Sequence, residues 1–590
     1  MLTARNAILA LIVFVCVEMT SPAQRLPTEV PRRRSTQLAD GFGMNIALPR
    51  EPRMSWISHS WTPIFDSGVK WVRIGQYENS SEKTSWDWVE QTAGRYSVLP
   101  EVDEAIRSLR ENGVQIEIQL QYSNPLYQGD PANRPVRVKL PPPGIGQNDE
   151  PVNPIFLPPK TEEQTEAFLK YVRFMVDRYK LSVKHWELWN EPDIGYWQPN
   201  TRNNRELVEK ARWYGDVLSR FADAVHGADP HAKVIFGGLA EPNLIFARTA
   251  LAKCASKIDV FAYHTYPGFG SNHMPEEADT KLQAAFFREQ ILRFPGVRNT
   301  LEFWVNEWNV SPKWENSDES VQARYLPRFY LYCHVQHVRG FVWTFVPGTD
   351  GNEGDSFGVI HGETSGPDAF KPRPAYRAFE VTSALLGQTE PDPAAEFTIR
   401  KLPDKYSHGE LKSYAFQDTV SGKRIYAFWL AVLCDPADQF VPQQAELTVH
   451  DSGIRTPILI DVRSASVTAL KWKDRENHVV EIPVKDSVMA VSDVTYLDWP
   501  ELPAAPGELR AKVIDGRAHL AWKNYSEGTR TEVERSDNYG EWRRVAQLPA
   551  GSAVFSEPVP VARHITYRVR AVRSEDTSAW SNPAWIEMTD

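Results

Sequence analysis

The sequence predicts an α/β fold: an eight-stranded (β/α)8 barrel of the TIM type, followed by two all-β sandwich domains. Three observations carry this. Between residues 41 and 385, eight short apolar or β-branched runs alternate with helical patterns. From 386 onward, short alternating segments separated by turn residues replace them. A proline-rich stretch at 500–506 divides this second part, giving domains at 41–385, 386–500 and 501–590.

The runs at 41–47, 69–74, 114–119, 183–190, 233–238, 258–264, 301–307 and 340–345 read as the barrel strands. They are nearly continuous in apolar residues, as strands covered on both faces must be. Segments 102–112, 162–180, 205–226, 275–294 and 320–337 repeat apolar residues every three or four positions and read as helices. Thr161 and Gln164 form a capping box that opens one of them. Eight strand–helix units imply a closed barrel. An open doubly wound sheet is the alternative, but no glycine-rich dinucleotide fingerprint follows the first strand. The loops at 122–160 and 347–372 are long, follow strand C-termini, and are expected to overhang the face where barrels place their active sites. The segment 386–500 reads as a sandwich packed on the barrel, and 500–506 as a linker isolating the last module. That module resembles a fibronectin type III domain in Leu520-Ala521-Trp522, Tyr567-Arg568-Val569-Arg570-Ala571 and Ser578-Ala579-Trp580-Ser581-Asn582.

A chain of 590 residues suits several domains. Its 20 tryptophans favour stacking surfaces, and its net charge of −10 argues against nucleic acid or an anionic membrane as partner. Arg32-Arg33-Arg34 reads as part of a solvated linker at 24–40. Arg5, the apolar run from Ala7 to Val17 and the small residues at Ser21-Pro22-Ala23 read as a signal peptide at 1–23. Its apolar run is too short for a membrane span. The expected location is therefore outside the cytoplasm, secreted or periplasmic. Cys254, Cys333 and Cys434 then remain, and are expected to be buried small hydrophobes and not a disulfide framework. No metal-ligand spacing or cofactor motif is found, so neither is expected. The oligomeric state stays open.

The chemistry concentrates in two strings, Trp186-Glu187-Leu188-Trp189-Asn190-Glu191-Pro192-Asp193 and Phe303-Trp304-Val305-Asn306-Glu307-Trp308-Asn309. A single glutamate is normally a solvated surface group. Here Glu191 and Glu307 each end an apolar run, at the strand ends where a barrel puts its catalysts. Cutting a glycosidic bond takes a proton donor at the leaving oxygen and a second carboxylate at the anomeric carbon. Glu191 fits the first role and Glu307 the second. Asn190 can bind the neighbouring sugar hydroxyl. Trp197 and Trp308 are expected as subsite walls, and Tyr77, with Gln76 and Asn124, as a hydroxyl binder. Glu187 shares the parity of Glu191 but lies deeper, which suits a buried pair. Trp304 is equally core or platform. The partner implied is an oligo- or polysaccharide.

These residues resemble clan A of the glycoside hydrolases over roughly 41–385. The resemblance implies retention, with Glu191 as acid/base and Glu307 as nucleophile. It further implies that Arg73 keeps the nucleophile ionised, that His264 and Tyr266 in His-Thr-Tyr-Pro hydrogen-bond it, and that Trp343 stacks on sugar. Within the clan the chain most resembles family 39, whose members include β-xylosidases, α-L-iduronidases and exopolysaccharide hydrolases; families 5, 30 and 51 stay open. A transglycosylase and a catalytically silent carbohydrate-binding or matrix protein are the other readings. Retention sets an expected separation of about 5–5.5 Å between the two carboxyl groups. Trp186, Trp189 and Trp197 are expected to raise the pKa of Glu191, while Arg73 and Tyr266 favour ionised Glu307.

Overall fold

The computed structural model describes residues 26–47, 63–77, 80–81, 83–128, 154–266, 273–345, 357–361, 371–401, 409–437, 440–450, 453–538, 540–581 and 583–588. The segment 1–23, expected as a signal peptide, and most of the two long loops lie outside these residues.

Strands β1 (Gly43–Asn45), β2 (Trp71–Ile74), β3 (Gln115–Leu120), β4 (His185–Leu188), β5 (Lys233–Leu239), β6 (Val260–Tyr263), β7 (Glu302–Val305) and β8 (Val338–Val342) close a barrel. Each pairs in parallel with its neighbours in sequence, and β8 pairs with β1. Helices α1 (Pro100–Glu111), α2 (Glu162–Tyr179), α3 (Asn204–Ala228), α4 (Leu244–Cys254), α5 (Ala284–Leu292), α6 (Glu319–His334) and α7 (Pro374–Leu386) run outside it. Their starts are chemically marked. The Thr161–Gln164 capping box opens α2, and the side chains of Asn203, Asn243 and Asp318 cap α3, α4 and α6. The expected helix at 275–294 is instead a 3-10 turn at Pro275–Ala278 and then α5, because Gln283 takes a left-handed φ of 53° between them.

Parity along the strands sorts the lumen into layers. Trp71, Ile235, Val260, Ala262, Trp304 and Phe341 form a separate apolar cluster that floors the barrel. Trp71 meets Trp304 edge-on at 5.1 Å, which settles Trp304 as core. Gly43 makes room for this floor, since a Cβ there would lie 2.3 Å from the Phe341 ring. Above this floor come Asn45, Arg73, Glu187 and Asn306, with Glu117 beside them on β3, all buried. The barrel interior therefore turns from apolar to polar over one pleat.

Two all-β units follow. The first has sheets of six and four antiparallel strands around its own core, between Thr389 and Asp493. It is clamped to α6 by two fully buried arginines. Arg324 pairs with Asp486 at 2.7 Å, and Arg328 donates to the carbonyl of Val432 at 2.8 Å while pairing with Glu276 of the barrel at 2.7 Å. The second has a three-stranded and a five-stranded sheet around Leu520, Trp522, Val533, Tyr567 and Val569.

Two expectations about linkers need correction. Arg33 and Arg34 are buried rather than solvated: Arg34 pairs with Asp66 at 2.6 Å, and Arg33 donates to the carbonyl of Ala384 at 3.3 Å. The stretch 500–506 does not isolate the last module, because Pro503, Ala505 and Pro506 are buried. Arg568 of that module lies between Trp542 and Trp580, 4.3 and 4.4 Å from their ring centres, and pairs with Glu111 of α1 at 2.8 Å. Cys254, Cys333 and Cys434 are free and buried. Among the described residues, no helix is long and apolar enough to cross a membrane.

Candidate active site

The site lies at the C-terminal ends of β2, β4, β6 and β7. After β4 the chain leaves extended geometry, with Trp189 at φ 67° and Glu191 at φ 40°. Such angles are costly for residues with a Cβ, so local contacts must impose them. The Glu191 amide donates to the Gly238 carbonyl at 2.9 Å, and the Trp189 indole donates to the Tyr196 carbonyl. This turn presents Glu191 to the lumen. Glu307 follows β7 directly.

Arg73 organises the centre from β2. It donates to both oxygens of Glu187 at 2.8 and 3.2 Å, to Asn45 at 3.1 Å, to Asn190 at 2.9 Å and to Glu307 at 3.4 Å. The Tyr266 hydroxyl donates to the other oxygen of Glu307 at 3.3 Å. His264 Nδ1 is 2.8 Å from Glu191, while its Nε2 is 3.8 Å from Glu307. The imidazole was expected on the nucleophile; its short contact is with Glu191. Asn190 spends its oxygen on Arg73 and Gln119. Among the described residues its amide nitrogen has no protein partner and remains able to donate.

The electrostatics follow from this packing. Burial pushes Glu191 up to about 8; Glu241 adds to the rise and Arg73 opposes it. Glu307 is also raised, by burial first and by neighbouring Glu191, although Arg73 and the Tyr266 hydroxyl act to keep it ionised. The two carboxyls were expected to move apart in opposite directions. Both rise because both are taken out of water, and they differ in how many donors oppose that loss. Burial lowers His264 to about 4, so it is neutral at pH 7. Glu191, His264 and Glu307 bring donor atoms within 4.8 Å of one another. By residue type such a trio suits a cation, but the guanidinium of Arg73 already supplies the positive charge beside Glu307.

Among solved structures, the chain is similar to a family 39 glycoside hydrolase from the gut symbiont Bacteroides cellulosilyticus. The TM-score is 0.56 and the identity 18%, over 79% of this chain and 83% of that one. This chain shares the fold of that structure. A bacterial orthologue of human α-L-iduronidase matches with a TM-score of 0.46 and 15% identity, over 95% of this chain and 98% of that one. An α-L-arabinofuranosidase from Thermotoga maritima matches with a TM-score of 0.46 and 15% identity, over 78% and 97%. No protein-family model matches the sequence, and a search of curated proteins finds no match.

Within this barrel Glu191, Glu307, Asn190, Arg73, His264 and Tyr266 come together in one network. Trp343 is half-buried at the exit of β8, where a ring face can serve a sugar. Trp197 and Trp308 are not subsite walls. Trp197 is fully buried against Trp189, Trp213 and Tyr214, and Trp308 stacks on Phe329 at 4.5 Å. Both rings already spend their faces on the core. The side chain of Tyr77 lies outside the described residues. Glu187 is the buried, paired carboxylate that its parity suggested. Glu117, Gln119 and Asn306 were missed. Asn306 donates to Glu117 at 3.1 Å and to Glu187 at 3.0 Å. Burial and neighbouring Glu187 push Glu117 well above the usual carboxylate range. The trace was present in the strand itself. Gln115, Glu117, Gln119 and Gln121 alternate with apolar residues, and a polar stripe on a strand covered outside by helices must face the lumen.

Proposed function

We propose that this protein is a retaining glycoside hydrolase of clan A that acts on an oligo- or polysaccharide after export from the cytoplasm. The observation that carries the reading is the pairing of Glu191 with Glu307, whose facing oxygens lie within 4.8 Å. Inverting enzymes hold their carboxyls about 6.5–9.5 Å apart to admit a water between them. This approach supports attack by Glu307 on the anomeric carbon, with Glu191 protonating the leaving oxygen. Glu191 then takes a proton from the water that releases the glycosyl-enzyme. Asn190 is poised for the hydroxyl beside the anomeric carbon, and Trp343 for the ring face. The apolar segment before Ser21-Pro22-Ala23 supports export. The last module, with its two antiparallel sheets, is read as fibronectin type III-like.

The test is a panel of aryl glycosides and polysaccharides, with product anomers followed by NMR. Hydrolysis with the starting anomer as first product is expected. An inverted first product would overturn the two-step mechanism, and inactivity across the panel would favour the silent binding protein. Added acceptor sugars separate hydrolysis from transglycosylation, because only the latter diverts most of the product.

A further inference from the structure

The orientation of Asn306 fixes more than its own contacts. Its amide nitrogen faces Glu117 and Glu187, both acceptors when unprotonated, so the nitrogen and not the oxygen must point that way. The oxygen then faces the other side. It is buried without a hydrogen-bond partner among the described residues, and so is Nε2 of His264. Both atoms border the space beside Gly238. A Cβ placed on Gly238 would come within 2.4 Å of Nε2 and 2.7 Å of the Asn306 oxygen, so glycine leaves them the space. The other group facing Nε2 is a Glu307 oxygen at 3.8 Å. Both neighbours of Nε2 are therefore acceptors, and a neutral imidazole has one hydrogen to place. Put on Nε2, it meets two acceptors. Put on Nδ1, it leaves a buried lone pair against two others.

We propose that Asn306 and His264 form a positioning pair: Asn306 holds the imidazole in its Nε2–H tautomer, and Nδ1 then accepts the carboxyl proton of Glu191. The 2.8 Å contact between Nδ1 and Glu191 is satisfied only while Glu191 is the acid. As a carboxylate it would set lone pair against lone pair. The pair thus favours the protonated form of Glu191 in the resting protein, and adds to what burial and Glu241 already do. The remaining charged or titratable neighbours of Glu191 are Arg73, Asp193, Glu307, Tyr122, Tyr196 and Tyr266. Of the groups that face it, His264 is the one whose hydrogen can move between two nitrogens. The role in acid catalysis rests on the glycosidase reading; the tautomer does not.

The experiment has two arms. In the first, 15N-histidine-labelled full-length protein is read by two-bond 1H–15N correlation at neutral pH, with the His264 signals identified by their loss in His264→Gln. The expected pattern is a protonated Nε2 and an unprotonated Nδ1, and the reverse pattern overturns the proposal. In the second, Asn306→Ser releases the ring to place its hydrogen on Nδ1 and donate to the Glu191 carboxylate. Donation to the charged form favours it, so the basic limb of kcat/KM should move down by about one pH unit. A limb that stays in place overturns the link to Glu191. If Asn306→Ser does not fold, the labelled wild-type protein still decides the tautomer. If the protein cleaves no glycoside yet shows the Nε2–H pattern, the glycosidase reading fails and the tautomer stands.

Discussion

At Glu191 and Glu307 the same force, burial, meets different company. Glu191 loses water and faces a neutral imidazole. Glu307 loses water and faces a guanidinium and a phenol hydroxyl. An acid must be protonated to work, so activity should fall as pH rises through the Glu191 value of about 8. A nucleophile must be ionised, so activity should also fall on the acid side, at a pH above the ordinary carboxylate value because Glu307 is raised. A bell-shaped kcat/KM profile checks both limbs; a basic limb below about pH 6 would contradict the burial argument. Substitution separates the roles further. Glu307→Ala should abolish turnover of every substrate, with azide giving the inverted glycosyl azide. Glu191→Ala should cost about 10²–10⁴-fold on poor leaving groups, spare activated ones in the first step, and yield a retained azide product. Swapped outcomes would reverse the two labels.

At the scale of elements, strands were legible wherever burial on both faces left an apolar run, and all eight barrel strands fall on the expected segments. Helix α4 was not marked out. Its buried face is Phe246, Ala247, Ala250, Leu251 and Cys254, but Leu244 and Ile245 lie outside that face, so the apolar residues show no clear period. The segment at 275–294 carried helical spacing throughout, yet the left-handed Gln283 cuts it, and no local pattern announced that break. In the site, residues at strand exits were readable because a polar group ending an apolar run stands out. Glu117 and Asn306 were not, because their partners lie on other strands and only the closed barrel brings them together. Trp197 and Trp308 misled for the opposite reason. An aromatic beside a catalytic residue fits a sugar platform and a core anchor equally until the packing is known. As core, Trp308→Ala should destabilise by about 3–5 kcal/mol and leave KM nearly unchanged. Denaturant unfolding with parallel kinetics checks this, and a large rise in KM at wild-type stability would restore the subsite role.

At the scale of the molecule, the barrel and the first sandwich share buried arginines, whereas the last module holds on by fewer contacts. Arg324 and Arg328 have no exposed surface; cutting away the sandwich would take Asp486 from Arg324 and the Val432 carbonyl from Arg328, which keeps Glu276. Loss of a partner from a buried pair costs about 3–5 kcal/mol, so a chain ending near residue 386 should not fold. A chain ending after residue 506 should fold and keep its activity. It also loses the Arg568–Glu111 pair and the cover over 503–506, so its Tm should drop by several degrees. Thermal unfolding of the two truncations beside the full chain checks this. An unchanged Tm in the longer one would mean that the Arg568 contact contributes nothing.

The apolar floor of the barrel has a kinetic consequence. Trp71, Trp304 and Phe341 close the lumen from below, so among the described residues the cup opens only at its upper end. If a glycosyl group is bound at Glu307, the leaving group must exit and its replacement must enter by the same way. Water and a second sugar then compete for one space, and how often each occupies it weighs on the fate of the intermediate alongside the reactivity of each.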